Sequence, residues 1–247
     1  MRLAKQEAIG EKNKSTIVSS DLDLCNDPHK YRSCQLFYAN RYVIMPTSSK
    51  RSRGRPREYD ADTALGRAAE CFWKHGYAGT SLDDLASATG MNRPSLYAAF
   101  GNKRDLYLKT LRRYRDESRD TAKALLSDKP SLRVYLGRFY QAALDVYFAG
   151  SGGGRGCYSI GTAATESAVD AAVRAFLADT IQSTDAFFAT LVRRAIELSE
   201  IQPKADPEAL ARVLTATLHT LAVRSRAGQS RRELEKLYAA TIEIVCG

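Results

Sequence analysis

GMNRPSLYAAFGNKRDLY, residues 90–107, is the stretch whose reading decides the fold. Gly90 suits the left-handed end of one helix, and Asn92 followed by Pro94 suits the start of the next, where proline forfeits no intrahelical donor. Leu96 and Phe100 lie one turn apart and form an apolar face, read as part of the helical core. Asn102 can then cap a further helix marked by Leu106, Leu108, Leu111 and Tyr114. Upstream, Ser81 and Asp84 form an S-x-x-D capping signal for a short helix carrying Leu82, Leu85 and Ala86. Two short helices joined by Gly90-Met91-Asn92 read as a helix-turn-helix, in which the second helix enters the DNA major groove.

That geometry assigns roles to side chains. Thr80 and Ser81, at a helix start, can offer donors to a phosphate, and Tyr97 and Lys103 can reach phosphates flanking the groove. Base reading falls to Arg93, whose fork matches guanine O6 and N7. Ser95 assists, Pro94 or Ala98 can touch thymine methyl groups, and Asn92 sits at the start of the reading helix. Ahead of the domain, five of the eight residues 50–57 are cationic. Arg53 and Arg55 flank Gly54 as in an AT-hook, which expects a minor-groove arm; a tail that only neutralises phosphates is the alternative.

The segment TSLDDLASATGMNRPSLYAAFGNKRDLY, residues 80–107, resembles the signature of the tetracycline-repressor (TetR) family of bacterial regulators. The likeness covers roughly residues 55–115. It implies an all-α protein with a three-helix N-terminal domain containing the helix-turn-helix and a larger helical C-terminal domain for ligand binding and dimerisation. It also implies a homodimeric repressor that a small-molecule effector releases from an inverted-repeat operator. The expected division is a disordered extension over 1–49, with Met45 as an alternative start; a basic arm over 50–57; a DNA-binding domain over 58–104; and an effector and dimerisation domain over 105–247.

Charge agrees with this division. Of a formal +9, residues 50–115 hold +7, whereas residues 116–247 are balanced. A basic module joined to a neutral one suits a polyanion at one end. Five scattered cysteines argue against a secreted disulfide framework, and no run approaches the roughly 20 apolar residues of a membrane span. A cytoplasmic, nucleoid-associated protein without membrane attachment is expected. G-x-S-x-G, H-E-x-x-H and the phosphate-cradling G-x-x-x-x-G-K-[ST] are absent, so neither an enzyme nor a cofactor is expected. Cys25, His29 and Cys34 lack a C-x-x-C pair and are read as chance, not as metal ligands.

The C-terminal half continues at helical period: 131–148, a Gly-rich loop over 150–156, a shorter helix over 157–168, then 170–199, 206–226 and 230–245. Tyr114, Tyr135, Phe139, Cys157, Phe176 and Phe187 are candidates for lining a pocket that takes a small apolar or aromatic effector. The last two helices carry Leu214, Leu218 and Leu221, and Leu234, Leu237 and Tyr238, as a candidate four-helix dimer interface. His219 is expected to be an ordinary core or interface histidine. Cys157 follows the Gly-rich loop two residues after Arg155; a helix start and a nearby cation would lower its pKa, leaving a redox or electrophile sensor as one alternative. A DNA-binding protein without any ligand is the other. In the expected switch, the helix over 102–115 carries effector binding to the recognition helices.

Overall fold

The computed structural model describes residues 60–150 and 153–247. Among them are nine α-helices and no strand, as expected for an all-α chain. The expected extension, the basic arm, Arg53 and Arg55 lie outside the described residues.

Helix α1 spans Ala61–His75, α2 Leu82–Thr89, α3 Arg93–Phe100 and α4 Lys103–Ala124. The starts are fixed locally. Asp60, Ser81, Asn92 and Asn102 each accept from backbone N–H groups of the first turn, and Ser81 with Asp84, like Asn102 with Asp105, forms a complete capping box. Gly90 ends α2 at φ 70°, in the left-handed region where a side chain is strained. Helix α4 runs well past the expected residue 115. Its charged second half is sustained by the Arg113–Glu117 pair one turn apart and by Arg115 reaching Asp179 at 2.8 Å. The expected domain boundary at 104 falls two residues into this helix.

Helix α5 spans Leu132–Tyr147. In place of a regular helix over 157–168 there is a π-helical turn, Ser159–Ala163, leading into the single-turn α6, Ala164–Glu166. Then follow α7, Ala171–Glu197; α8, Pro207–Arg226; and α9, Arg231–Cys246. Gly154 and Gly156 of the Gly-rich stretch pass directly against α8. A Cβ on Gly154 would stand 2.1 Å from the Ser225 carbonyl oxygen, and one on Gly156 2.5 Å from that of Ala222. Glycine is needed here for close approach, not for looseness.

Two apolar clusters form. One joins α5, α7, α8 and α9 around Leu136, Leu144, Phe188, Val192, Leu214, Leu221 and Leu234. The other joins α1–α4 around Phe72, Leu85, Leu96, Phe100 and Leu111, and it also takes Tyr158, Val173 and Phe176 from the C-terminal half. Each large side chain buried this way contributes roughly 1.5–3 kcal/mol. The second cluster locks the helix-turn-helix to the rest of the described chain.

These clusters correct the expected interface. Leu214, Leu221 and Leu234 are completely buried in the chain's own core, and Leu218, Leu237 and Tyr238 pack half-buried against it. Leu214, Leu221 and Leu234 are therefore closed to a partner, and the other three turn most of their surface inward. The apolar stripe read from sequence is the inward one, because packing α8 on α7 and α9 uses it first. Outward, α8 shows Val213, Ala216 and Val223, and α9 shows Ala239, Ala240 and Ile244.

Candidate nucleic-acid interface

Helix α3 is held by its inner side. Leu96 and Phe100 are buried, as their spacing predicts, and Met91 fills the turn, where its N–H donates to the Ala86 carbonyl at 3.2 Å. At the far end Lys109 donates to the Phe100 carbonyl at 2.9 Å, placing a cation on the negative end of α3. The outward face is then Arg93, Pro94, Tyr97 and Ala98, all exposed, with Ser95 half-buried. The structure thus brings six of the sequence-predicted contact residues, Asn92 included, onto one short rod.

Arg93 is not free. Its Nε donates to Asp83 Oδ1 at 2.8 Å and its Nη2 to Oδ2 at 2.6 Å, a two-point fork across the turn between α2 and α3. Those bonds hold the Asp83 carboxyl below the usual carboxylate range and push the Arg93 guanidinium further up. Asp83 was not singled out from sequence. The pair is ten residues apart, and no helical spacing announces it.

Two expected phosphate donors are corrected. Thr80 is buried and its hydroxyl donates to the Gly76 carbonyl at 2.6 Å, so it braces the turn after α1. Ser81 spends its hydroxyl and its N–H on Asp84 Oδ2, at 2.7 and 2.8 Å. The donors left at the start of α2 are the N–H groups of Leu82 and Asp83, since the capping box uses those on either side. Lys103 is half-buried, with its ammonium 4.3 Å from the centre of the Tyr77 ring, and burial lowers its pKa. Beside α3, a surface cleft of about 640 Å³ runs along α4, where Arg104, Lys109 and Arg112 join Tyr97. These cations extend the basic face beyond the residues named from sequence.

The expected effector residues are not gathered. In the C-terminal cluster Tyr135 stacks on Phe139 and meets Phe187 edge to face, whereas Tyr114 and Phe176 belong to the N-terminal one. They divide because α4 and the start of α7 pack toward α1. The recess bordered by Leu132, Tyr135, Leu191 and Glu200 holds only about 10 Å³, roughly one water.

Cys157 also departs from expectation. Burial pushes its thiol up, against hydrogen bonds from the Tyr114 hydroxyl, 3.6 Å away, and from backbone groups of the π turn. The expected cation is elsewhere, since Arg155 binds Glu70 through two 3.0 Å bonds. His219 is half-buried and burial lowers its pKa, opposed by Asp185, as an unremarkable core histidine requires.

What joins this face to the other helices is a row of polar contacts. The Tyr107 hydroxyl donates to Thr162 Oγ1 at 2.7 Å, Thr110 and Tyr158 share a 2.7 Å hydroxyl bond, and Arg104 clasps Asp170 at the start of α7. All three arise from α4. Sequence reasoning missed them because each partner lies more than forty positions away.

The chain matches known proteins along most of this length. Residues 64–110 match the family model for bacterial regulatory proteins of the tetR family, and residues 135–241 match that for a tetracyclin repressor-like C-terminal domain. The transcriptional repressor ComR of Escherichia coli is 32% identical over 79% of this chain and 93% of its own. The regulator YezE of Bacillus subtilis is 33% identical over 65% of this chain and 83% of its own. Among solved structures, a cysteine mutant of the TetR-family regulator CifR in complex with a 26-bp operator duplex is 30% identical, with a TM-score of 0.67, over 76% of this chain and 98% of that one. With its helix-turn-helix, its second helical domain and matches across both, the chain belongs to the TetR family of bacterial transcription regulators.

Proposed function

We propose that the protein is a homodimeric repressor that binds an inverted-repeat operator and leaves it when a small molecule occupies the C-terminal helices. The observation that supports this most is the outward face of α3, Arg93, Pro94, Tyr97 and Ala98, clamped on a rigid capped turn in a chain 30% identical to a regulator solved on operator DNA. Tyr97 and the cations of the α4 cleft position the phosphates, and Arg93 reads guanine. A helix of eight residues touches few bases, so a second copy about a dyad supplies the rest. The surface for that copy is the outward stripe of Val213, Ala216 and Val223 on α8 with Ala240 and Ile244 on α9.

Release would travel through α4. A ligand that parts the packed rings of Tyr135, Phe139 and Phe187 would shift α5 and α7, and with them Asp170 and the π turn carrying Tyr158 and Thr162. Arg104, Tyr107 and Thr110 of α4 hold these groups, and Lys109 holds the end of α3. Only a ligand that binds the shifted form more tightly can move the equilibrium. The test is selection of duplexes from a random library by the purified full chain, followed by binding at rising salt. An enriched inverted repeat whose affinity falls steeply with salt is expected. Enrichment of no inverted repeat overturns the reading. Compounds that raise the melting temperature should then release the selected duplex, and failure of every such compound to do so removes the effector part.

A further inference from the structure

We propose that Asp83 is a specificity-determining positioning residue: by gripping the inner edge of the Arg93 guanidinium, it aims the outer edge at guanine. The proposal rests on the operator-binding reading above and adds a residue to it.

A guanidinium has five N–H donors in one plane. Asp83 takes the Nε–H and one N–H of Nη2, at 2.8 and 2.6 Å. That leaves the outer edge, with one N–H from Nη1 and the second from Nη2 pointing the same way. Two parallel donors at this spacing match guanine N7 and O6, whereas adenine presents a donor at the position of O6 and repels one of them. Unclamped, an arginine at the start of α3 could swing to any nearby phosphate, which is attractive and indifferent to sequence. The fork removes that freedom before DNA arrives.

The carboxylate has a second consequence. Asp83 is largely exposed, and so is Arg93, so this pair adds little to folding in water. At the DNA surface, however, an anion near phosphates weakens all binding equally. Asp83 therefore lowers non-specific affinity while sharpening the preference at one base. A side chain that served only to stabilise α2 would not change which base is preferred.

The experiment compares wild type, D83N, D83A and R93A in parallel duplex selections, followed by titration of the enriched duplex and of versions carrying adenine or 7-deazaguanine at the position R93A relaxes. Wild type should prefer guanine there by roughly tenfold or more, the size expected of a bidentate arginine contact. D83A and D83N should keep the remaining motif, lose most of that preference and the penalty for 7-deazaguanine, and bind random duplex a few-fold more tightly. If the D83A variant prefers guanine as strongly as wild type, the positioning role is overturned while operator reading by Arg93 stands. If R93A relaxes no position, the guanine contact itself is wrong. If wild type enriches no inverted repeat, the failure belongs to the proposed function and not to Asp83.

Discussion

The Arg155 guanidinium lies 3.4 Å from the centre of the Trp73 ring, and the Arg155 carbonyl accepts the indole N–H of the same tryptophan at 3.2 Å. One residue of the Gly-rich stretch thus grips α1 by its side chain and its backbone, while Glu70 holds the guanidinium edge. Its Nε makes no hydrogen bond among the described residues and is covered by the aromatic face instead. This contact ties the turn that precedes Tyr158 to the helix-turn-helix domain.

Replacing that arginine should therefore loosen the junction. R155A is expected to cost about 1–2 kcal/mol in urea unfolding, from the loss of a stacked cation and a partly exposed ion pair. R155K should recover less than half, because an ammonium cannot stack flat and bind Glu70 at two points together. Full stability in R155A would show that the stack is incidental.

Asp170 links stability to pH. The Arg104 fork, with the N–H groups of Ala172 and Val173, holds its carboxyl down to about 2. A carboxyl depressed on folding stabilises the protein above its unfolded pKa of about 3.9 and stops doing so as pH falls toward 2. D170N keeps an N-cap acceptor but loses the charge, so its stability should fall less steeply than that of wild type between pH 4 and 2. D170A should lose the cap as well, about 1 kcal/mol at neutral pH. Parallel acid slopes for D170N and wild type would contradict the assignment.

Cys157 should be a slow thiol. Burial raises its pKa, so its thiolate is scarcer near pH 8 than that of a free cysteine. Alkylation of the native protein, mapped by peptide mass spectrometry, is expected to modify Cys157 roughly tenfold more slowly than in the unfolded chain. Equal rates would show that burial does not suppress this thiol, and only a faster rate than in the unfolded chain would restore the sensor reading.

The outward stripe of the last two helices can be separated from the inward one. V223E and I244E alter side chains 58% and 79% exposed, so both should fold with a near-normal melting temperature yet sediment as monomers. L214A removes a completely buried side chain and should cost about 2–5 kcal/mol whatever the oligomeric state. Dimers that survive both glutamate variants would move the interface elsewhere.

Local chemistry was enough to place the helix starts. Ser81, Asn92, Asn102, Asp206 and Ser230 announce them, and the period of Leu96 and Phe100 fixes which side of α3 is buried, because a cap and a helical face depend only on residues within about one turn. The family signature lies in that same local stretch. What only the tertiary structure decided is which apolar or polar group meets which. Phe176 joins α1 and α4 instead of an effector cavity, Leu214 and Leu221 turn inward, Thr80 is buried, and Asp83 grips Arg93. Each of these depends on helices distant in sequence arriving side by side, and an amphipathic stripe states how much surface must be covered without stating by what.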